Sequence, residues 1–263
     1  MKIRDIVAAI EEFAPLSLQA DYDNSGLIVG RLDDEIHGVL LAVDVTEEVI
    51  DEAEREGCDL IITHHPIIFR PLKRLNSANY VERCVERAIR SGIALYACHT
   101  NLDSTPGGTS WHVGSMIGLN AMRVLEPRRD NPEYGFGVVG TLTTPESAMA
   151  FMTRIKNIFD VGAVRYSDLP DENMMIRRVA ICTGAGGSII DEALRAEADI
   201  YVTADLKYND FMCGNGRMIL ADIGHFESEF CAIRIINDVL SKKLCNFAVR
   251  KSECSRNPIH YLA

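Results

Sequence analysis

The chain has 263 residues, 47 % hydrophobic and 25 % charged, enough for one large α/β domain or two smaller ones around a real core. A formal net charge of −11 with no basic run excludes a broad phosphate-binding face, and with it a nucleic-acid partner. No apolar run approaches the ~18 residues of a membrane span, and the amino-terminal MKIRDIVAAIEEF carries charge in every turn where a signal peptide needs an apolar stretch.

The expectation is therefore a soluble, cytoplasmic protein with no membrane partner. The eight cysteines (58, 84, 98, 182, 213, 231, 245 and 254) form no C-x-x-C pair. Those at 58, 84, 98, 182 and 231 lie in apolar segments and read as small core residues of a reducing compartment.

Helical and strand patterns alternate along the chain, as in an α/β fold. A helix over 3–13 precedes a loop containing DYDNSGLIVG, and GVLLAV (38–43) is the first well-buried strand. An acidic amphipathic helix follows over 46–57, with Thr46 as N-cap and Gly57 as terminator. The apolar strand CDLIIT (58–63) runs straight into His64-His65-Pro66. A helix near 78–91 leads to IALYAC (93–98), which runs straight into HTNLD (99–103). A glycine-rich turn at 106–108 opens a helix over 109–117, and 119–135, rich in Pro, Asn and charge, reads as a crossing segment.

A second run of alternating elements begins there: strand 136–142, helix 145–158, strand 163–166, and strand 177–182 ending in TGAGGS. Helix 188–196 and strand 199–204 come next. RMILADIG (217–224) is a buried strand ending at His225, and a long helix (226–242) and strand 245–250 close the chain. The expected architecture is α/β with two βα-type domains, mixed sheets flanked by helices: 1–126 plus 217–263, and an inserted 127–216. A metal site is expected in the cleft between them.

The chemistry is carried by position. Three buried strands deliver histidine at their carboxyl ends, His64-His65, His99 and His225, where open α/β sheets bind ligands. Adjacent histidines on an irregular turn can serve separate metals, and Pro66 stiffens that turn. His225 and Glu229 stand at i and i+4, on one helix face, and Asp103 adds a second carboxylate. Imidazole with carboxylate suits zinc, iron or manganese, and a bridging carboxylate can hold two such ions. Taken singly, His225 also reads as a capping or core histidine and Asp103 as a cap for the following turn. The set together favours a metal site. His99 reads as a partner of the ligands or a substrate-facing group, and Glu227 as pointing away from Glu229.

Other segments stay open. TGAGGS (183–188) is either a phosphate-holding strand–helix turn or a tight turn for close packing. Asp23 and Asn24 either cap a turn or line the site, and Lys207 and Tyr208 either meet an anionic substrate or stand at the surface. No G-x-S-x-G elbow is present, which leaves serine hydrolysis unsupported.

ITHHPIIF (62–69), HTNLD (99–103) and GHFESE (224–229) resemble the GTP cyclohydrolase I type 2 homologue family, also called NGG1-interacting-factor-like. DNSGLIVG (23–30) matches its D-N-x-G-L motif and TADLKYND (203–210) its T-G-[DE]-x-K-Y-H-D segment. Tyr22, Ser25, Ala204 and Asn209 depart from residues frequent in the family, and none of them is a ligand. The resemblance implies a dinuclear centre held by His64, His65, Asp103, His225 and Glu229, and a toroidal homohexamer. If it extends to activity, the substrate is a small molecule, a purine nucleotide such as GTP, attacked by water and opened with formate release, with His99 or Glu227 carrying a proton. A two-metal phosphoester hydrolase and a non-enzymatic metal-binding regulatory assembly are the alternatives.

Overall fold

A computed structural model describes residues 1–244 and 247–262. In chain order its strands are β1 (Gly26–Val29), β2 (Gly38–Ala42), β3 (Leu60–Thr63), β4 (Ala94–Ala97), β5 (Leu119–Pro127) and β6 (Gly135–Ser147). They continue with β7 (Arg165–Tyr166), β8 (Met175–Ala185), β9 (Ile200–Ala204), β10 (Ile219–Asp222) and β11 (Ala248–Lys251). The helices are α1 (Ile3–Phe13), α2 (Glu47–Glu56), α3 (Tyr80–Arg90), α4 (Thr100–Asp103) and α5 (Thr109–Met116). After them come α6 (Ala148–Ile158), α7 (Ile190–Arg195), α8 (His225–Glu229) and α9 (Cys231–Lys243). Two compact units result, Met1–Thr105 with Ala232–Arg256, and Pro106–Cys231 with Asn257–Ala263.

The first unit is built on a five-stranded sheet in the order β1-β4-β3-β2-β11. The β4, β3, β2 and β11 neighbours pair in parallel, and β1 lies antiparallel on β4. Every residue of β2, β3 and β4 is buried, as expected of parallel strands covered on both faces. Helix α2 starts at Thr46, whose hydroxyl accepts from Val49 N at 3.2 Å, and stops at Gly57 with φ +66. GLIV, expected within a loop, forms the edge strand β1, whose pairing with β4 is irregular between Leu27 and Val29. Four residues with an interrupted ladder leave no alternation to read. The expected strand 245–250 begins later, at Ala248; Cys245 and Asn246 lie outside the described residues.

The second unit carries a six-stranded mixed sheet, β5-β6-β8-β9-β10-β7. β8, β9 and β10 run parallel, and β5, β6 and β7 join antiparallel. Residues 119–127, expected as a crossing segment, form the edge strand β5 paired with β6. An edge strand tolerates Pro127 at its end and exposed Asn120, Ala121 and Arg123, which masked it in the sequence. Pairing of β5 with β6 and of β10 with β9 places 106–126 and 217–231 in this unit, so its limits lie outside 127–216. The long helix expected over 226–242 is divided at Phe230 into α8 and α9.

Of the cysteines expected in the core, Cys58, Cys84, Cys98 and Cys182 are buried and Cys231 is half-buried. Among the described residues no helix is long and apolar enough to cross a membrane.

The carboxyl-terminal segment is tied to α2 by Glu52, which is 3 % exposed. Its carboxylate accepts from the Ser252 hydroxyl, from Glu253 N at 2.8 Å and from Cys254 N at 3.2 Å. Burial opposes its ionisation, but these three donors outweigh burial and hold the carboxyl below its ordinary range. A depressed folded-state pKa means that this stabilisation is present above the ordinary glutamate pKa and fades as pH falls through the lowered value. Glu52→Ala strands those donors and is expected to cost roughly 2–4 kcal/mol near neutral pH, checked by urea unfolding of the metal-free chain. The difference from wild type should shrink in acid.

Candidate metal centre

In the first unit, β3 ends by turning sharply. His64 N donates to Ala42 O at 3.3 Å and His65 N to Val43 O at 3.0 Å, so the turn is held against the end of β2. The Thr63 hydroxyl donates to His65 O at 2.7 Å and fixes it further. His64 is fully buried, and its Nδ1 lies 2.9 Å from Cys98 O. A carbonyl only accepts, so Nδ1 bears the hydrogen and Nε2 the lone pair. That Nε2 faces Asp103 Oδ1 at 3.7 Å, Asp103 being the last residue of the short helix α4 that follows β4.

His65 Nδ1 lies 2.8 Å from Asp44 Oδ1, on the segment leaving β2. His99 Nδ1 lies 2.8 Å from Asp23 Oδ1. The rings of His64, His65 and His99 pack as a triangle with centroids 5.0, 5.2 and 5.3 Å apart. One ligand atom from each lies within 4.8 Å of the others, a group able to hold a metal ion. Burial works against ionisation of Asp23. The hydrogen bond and charge of His99, with the hydroxyls of Thr100 and Ser25, overcome it and hold this carboxyl far below the usual range. The DNSGL motif therefore supplies an anchor for His99, as well as the turn in which Asn24 Nδ2 donates to Ile68 O at 2.7 Å.

In the second unit, β10 ends at Asp222 and the chain turns through Gly224, at φ +87, into α8. His225 opens that helix and Glu229 closes it. Their side chains meet on one face, with Nε2 2.9 Å from Glu229 Oε2. His225 Nδ1 lies 2.8 Å from Asp205 Oδ2. Glu229 is almost wholly buried against the TGAGGS turn: at Gly184, φ +65, a Cβ would stand 2.0 Å from Glu229 Oε1. Gly184 N donates to Ser228 Oγ at 2.9 Å, and that hydroxyl donates to His225 O at 2.8 Å. Gly186 N donates to Thr203 Oγ1 at 3.0 Å. These two N–H groups are thus spent inside the unit; Gly184 serves the close approach of α8 and Gly186 that of the Tyr201 and Thr203 side chains of β9, the packing alternative of the sequence reading. Lys207 and Tyr208 stand at the surface.

Glu227, the other sequence candidate for proton transfer, is half-buried and turned to the carboxyl-terminal segment, where Asn257 Nδ2 donates to its Oε1 at 2.9 Å. The five candidate ligands therefore form two sets, His64, His65 and Asp103 in one unit and His225 with Glu229 in the other. His99 joins the first set. Asp44 and Asp205 were not singled out from the sequence; the only signal was an acidic residue just past the end of an apolar strand.

The donor chemistry fits metal binding. In His64, His65 and His99 Nδ1 is committed as a donor, which directs Nε2 to a cation, and His225 stands between Asp205 at Nδ1 and the candidate ligand Glu229 at Nε2.

A family profile for DUF34/NIF3 (NGG1p interacting factor 3) matches residues 1–258. The chain belongs to this family. A Clostridium perfringens relative named "GTP cyclohydrolase 1 type 2 homolog" is 33 % identical over 100 % of both chains. A Lactococcus lactis relative of the same name is 34 % identical over 99 % of each. The crystal structure of a Bacillus cereus protein related to NIF3 is similar, with a TM-score of 0.91 over 100 % of this chain and 99 % of that one. At 22 % identity it speaks to the fold. In this NIF3-family chain the ITHHPIIF, HTNLD and GHFESE segments all lie at the carboxyl ends of parallel strands, β3, β4 and β10. β3 and β4 share one end of the first unit's sheet, which brings ITHHPIIF and HTNLD together, and β10 sets GHFESE at a strand end of the second unit's sheet.

Proposed function

We propose that this NIF3-family chain is a dinuclear metal-dependent hydrolase acting on a purine nucleotide such as GTP. The observation that carries the reading is the ligand set itself: imidazoles anchored through Nδ1, with the carboxylates of Asp103 and Glu229 facing the Nε2 atoms of His64 and His225. The name borne by the relatives supports the substrate class. His64, His65, Asp103, His225 and Glu229 would hold two divalent cations of the zinc, iron or manganese type, which accept mixed imidazole and carboxylate ligands. Such ions, when bound, polarise water, lower its pKa towards neutrality and offset charge on the attacked atom.

The remaining steps belong to the protein. His99, packed edge-on against His64 and His65 and held by Asp23, suits proton transfer to and from the substrate better than Glu227, whose carboxylate is engaged by Asn257. Water adds to the carbon between the two imidazole nitrogens of guanine, ring opening leaves a formamide on the former ring nitrogen, and a second water hydrolyses that amide to release formate. A toroidal homohexamer in the cytoplasm completes the reading.

The test is incubation of the purified chain, loaded separately with zinc, iron or manganese, with GTP. Formate and a fluorescent pterin-type product support the reading. Release of inorganic phosphate without ring opening replaces it with phosphoester hydrolysis. No turnover with any metal, together with a co-purifying partner, points to a regulatory assembly. Glu227→Gln should leave the bound-metal content unchanged, measured by elemental analysis; a loss there would make Glu227 a ligand in place of Glu229.

A further inference from the structure

Three carboxylates outside the ligand set share one geometry. Asp44 Oδ1 stands 2.8 Å from His65 Nδ1, Asp23 Oδ1 2.8 Å from His99 Nδ1, and Asp205 Oδ2 2.8 Å from His225 Nδ1. The backbone goes out of its way to deliver one of them. Asp205 sits at φ +54, a left-handed conformation that a non-glycine residue seldom adopts, directly after β9. Asp23 is itself pinned by Ser25 Oγ at 2.8 Å, Asn24 N at 2.7 Å and Thr100 N at 3.1 Å, so its position is set before it meets His99. Each of the three lies in a different segment, two of them in the DNSGL and TADLKY motifs.

We propose that Asp44 and Asp23 are positioning residues that lock His65 and His99 as Nδ1–H tautomers with the lone pair at Nε2, and that Asp205 fixes the ring of His225, whose Nε2 faces Glu229 Oε2 at 2.9 Å. For His65 and His225 this rests on the metal-ligand reading above. A carboxylate can only accept a hydrogen bond, so it selects the ring form that carries its hydrogen at Nδ1, fixes the ring plane, and raises the basicity of the opposite nitrogen. His64 reaches the same tautomer through Cys98 O, a neutral acceptor. Its burial fixes the ring by packing, whereas His65 and His225, with side chains 24 % and 29 % exposed, depend on their carboxylates.

The test has two arms. In the metal-free chain, nitrogen–proton correlation spectra of the histidine rings report the tautomers. The expected result is Nδ1–H at His65 and His99 in the wild type, with the Nε2–H form appearing at the matching ring in Asp44→Asn and Asp23→Asn; His225, with a carboxylate beside each nitrogen, is read by Zn2+ affinity. Competition for Zn2+ against a chromophoric chelator then reads affinity, expected to fall about 10–100-fold in Asp44→Asn and Asp205→Asn and to recover in part in Asp205→Glu. Asparagine accepts the left-handed backbone of position 205 at least as well as aspartate. Unchanged melting of the metal-free variants separates positioning from folding. Unaltered Zn2+ affinity, or wild-type His65 and His99 rings in the Nε2–H form, overturns the proposal. A wild type that binds no Zn2+ defeats the metal reading, and the ring spectra then decide the tautomer lock by themselves.

Discussion

His65→Ala is expected to reduce bound divalent metal to half or less of the wild-type content, with little change in the melting temperature of the metal-free chain. The choice of residue follows from burial. His64 is wholly buried and bonded to Cys98 O, so its removal leaves a cavity and strands a carbonyl. His65 is about one quarter exposed, and its Asp44 partner is nearly half exposed, so water replaces the lost hydrogen bond at small cost. The variant therefore separates ligation from folding. Elemental analysis after metal loading and gel filtration reads the first, and calorimetry of the apo form reads the second. Unchanged metal stoichiometry would remove His65 from the ligand set.

Gly184→Ala should be the more damaging change of the two. Its φ of +65 alone costs an L-residue roughly 1–2 kcal/mol. The added Cβ would also stand 2.0 Å from Glu229 Oε1, so that carboxylate must leave its place beside His225. Gly216→Ala is the control: its φ is +62, and a Cβ there meets nothing within 4 Å. Both variants should lose stability through the backbone. Gly184→Ala should lose more and should also weaken Zn2+ binding, whereas Gly216→Ala should bind as the wild type does. Equal Zn2+ affinity in the two variants would mean that the position of Glu229 does not matter to the ion.

These expectations show which parts of the molecule were legible in its sequence. Apolar runs that lead into histidine mark the carboxyl ends of three strands: His64 follows directly on β3, His99 stands two residues past β4 and His225 three past β10, because a strand buried on both faces has no other place for such side chains. The spacing of His225 and Glu229 placed them on one face of α8, and the structure has them 2.9 Å apart. Caps were readable for a local reason: Thr46 and Gly57 act within one helical turn of themselves.

The parts that escaped are those decided by distant partners. β5 is a strand only because β6 pairs with it, and its exposed Asn120, Ala121 and Arg123 mimic a loop. The anchors of His65, His99 and His225 lie 21, 76 and 20 residues away along the chain. No local pattern distinguishes such an aspartate from one that caps a turn, and Asp23 does both. The glycine turn at 183–188 offered a phosphate site on paper. In the folded chain the N–H groups of Gly184 and Gly186 answer to Ser228 and Thr203.

The central claim is that His64, His65, Asp103, His225 and Glu229 ligate a pair of divalent cations. It is tested most directly by crystals of the metal-loaded chain with anomalous scattering recorded at the zinc, iron and manganese edges. The expected map holds two peaks per chain, each bonded to nitrogen or oxygen atoms of these five residues. A map with no peak at them, from protein that elemental analysis also finds metal-free after loading, would contradict it.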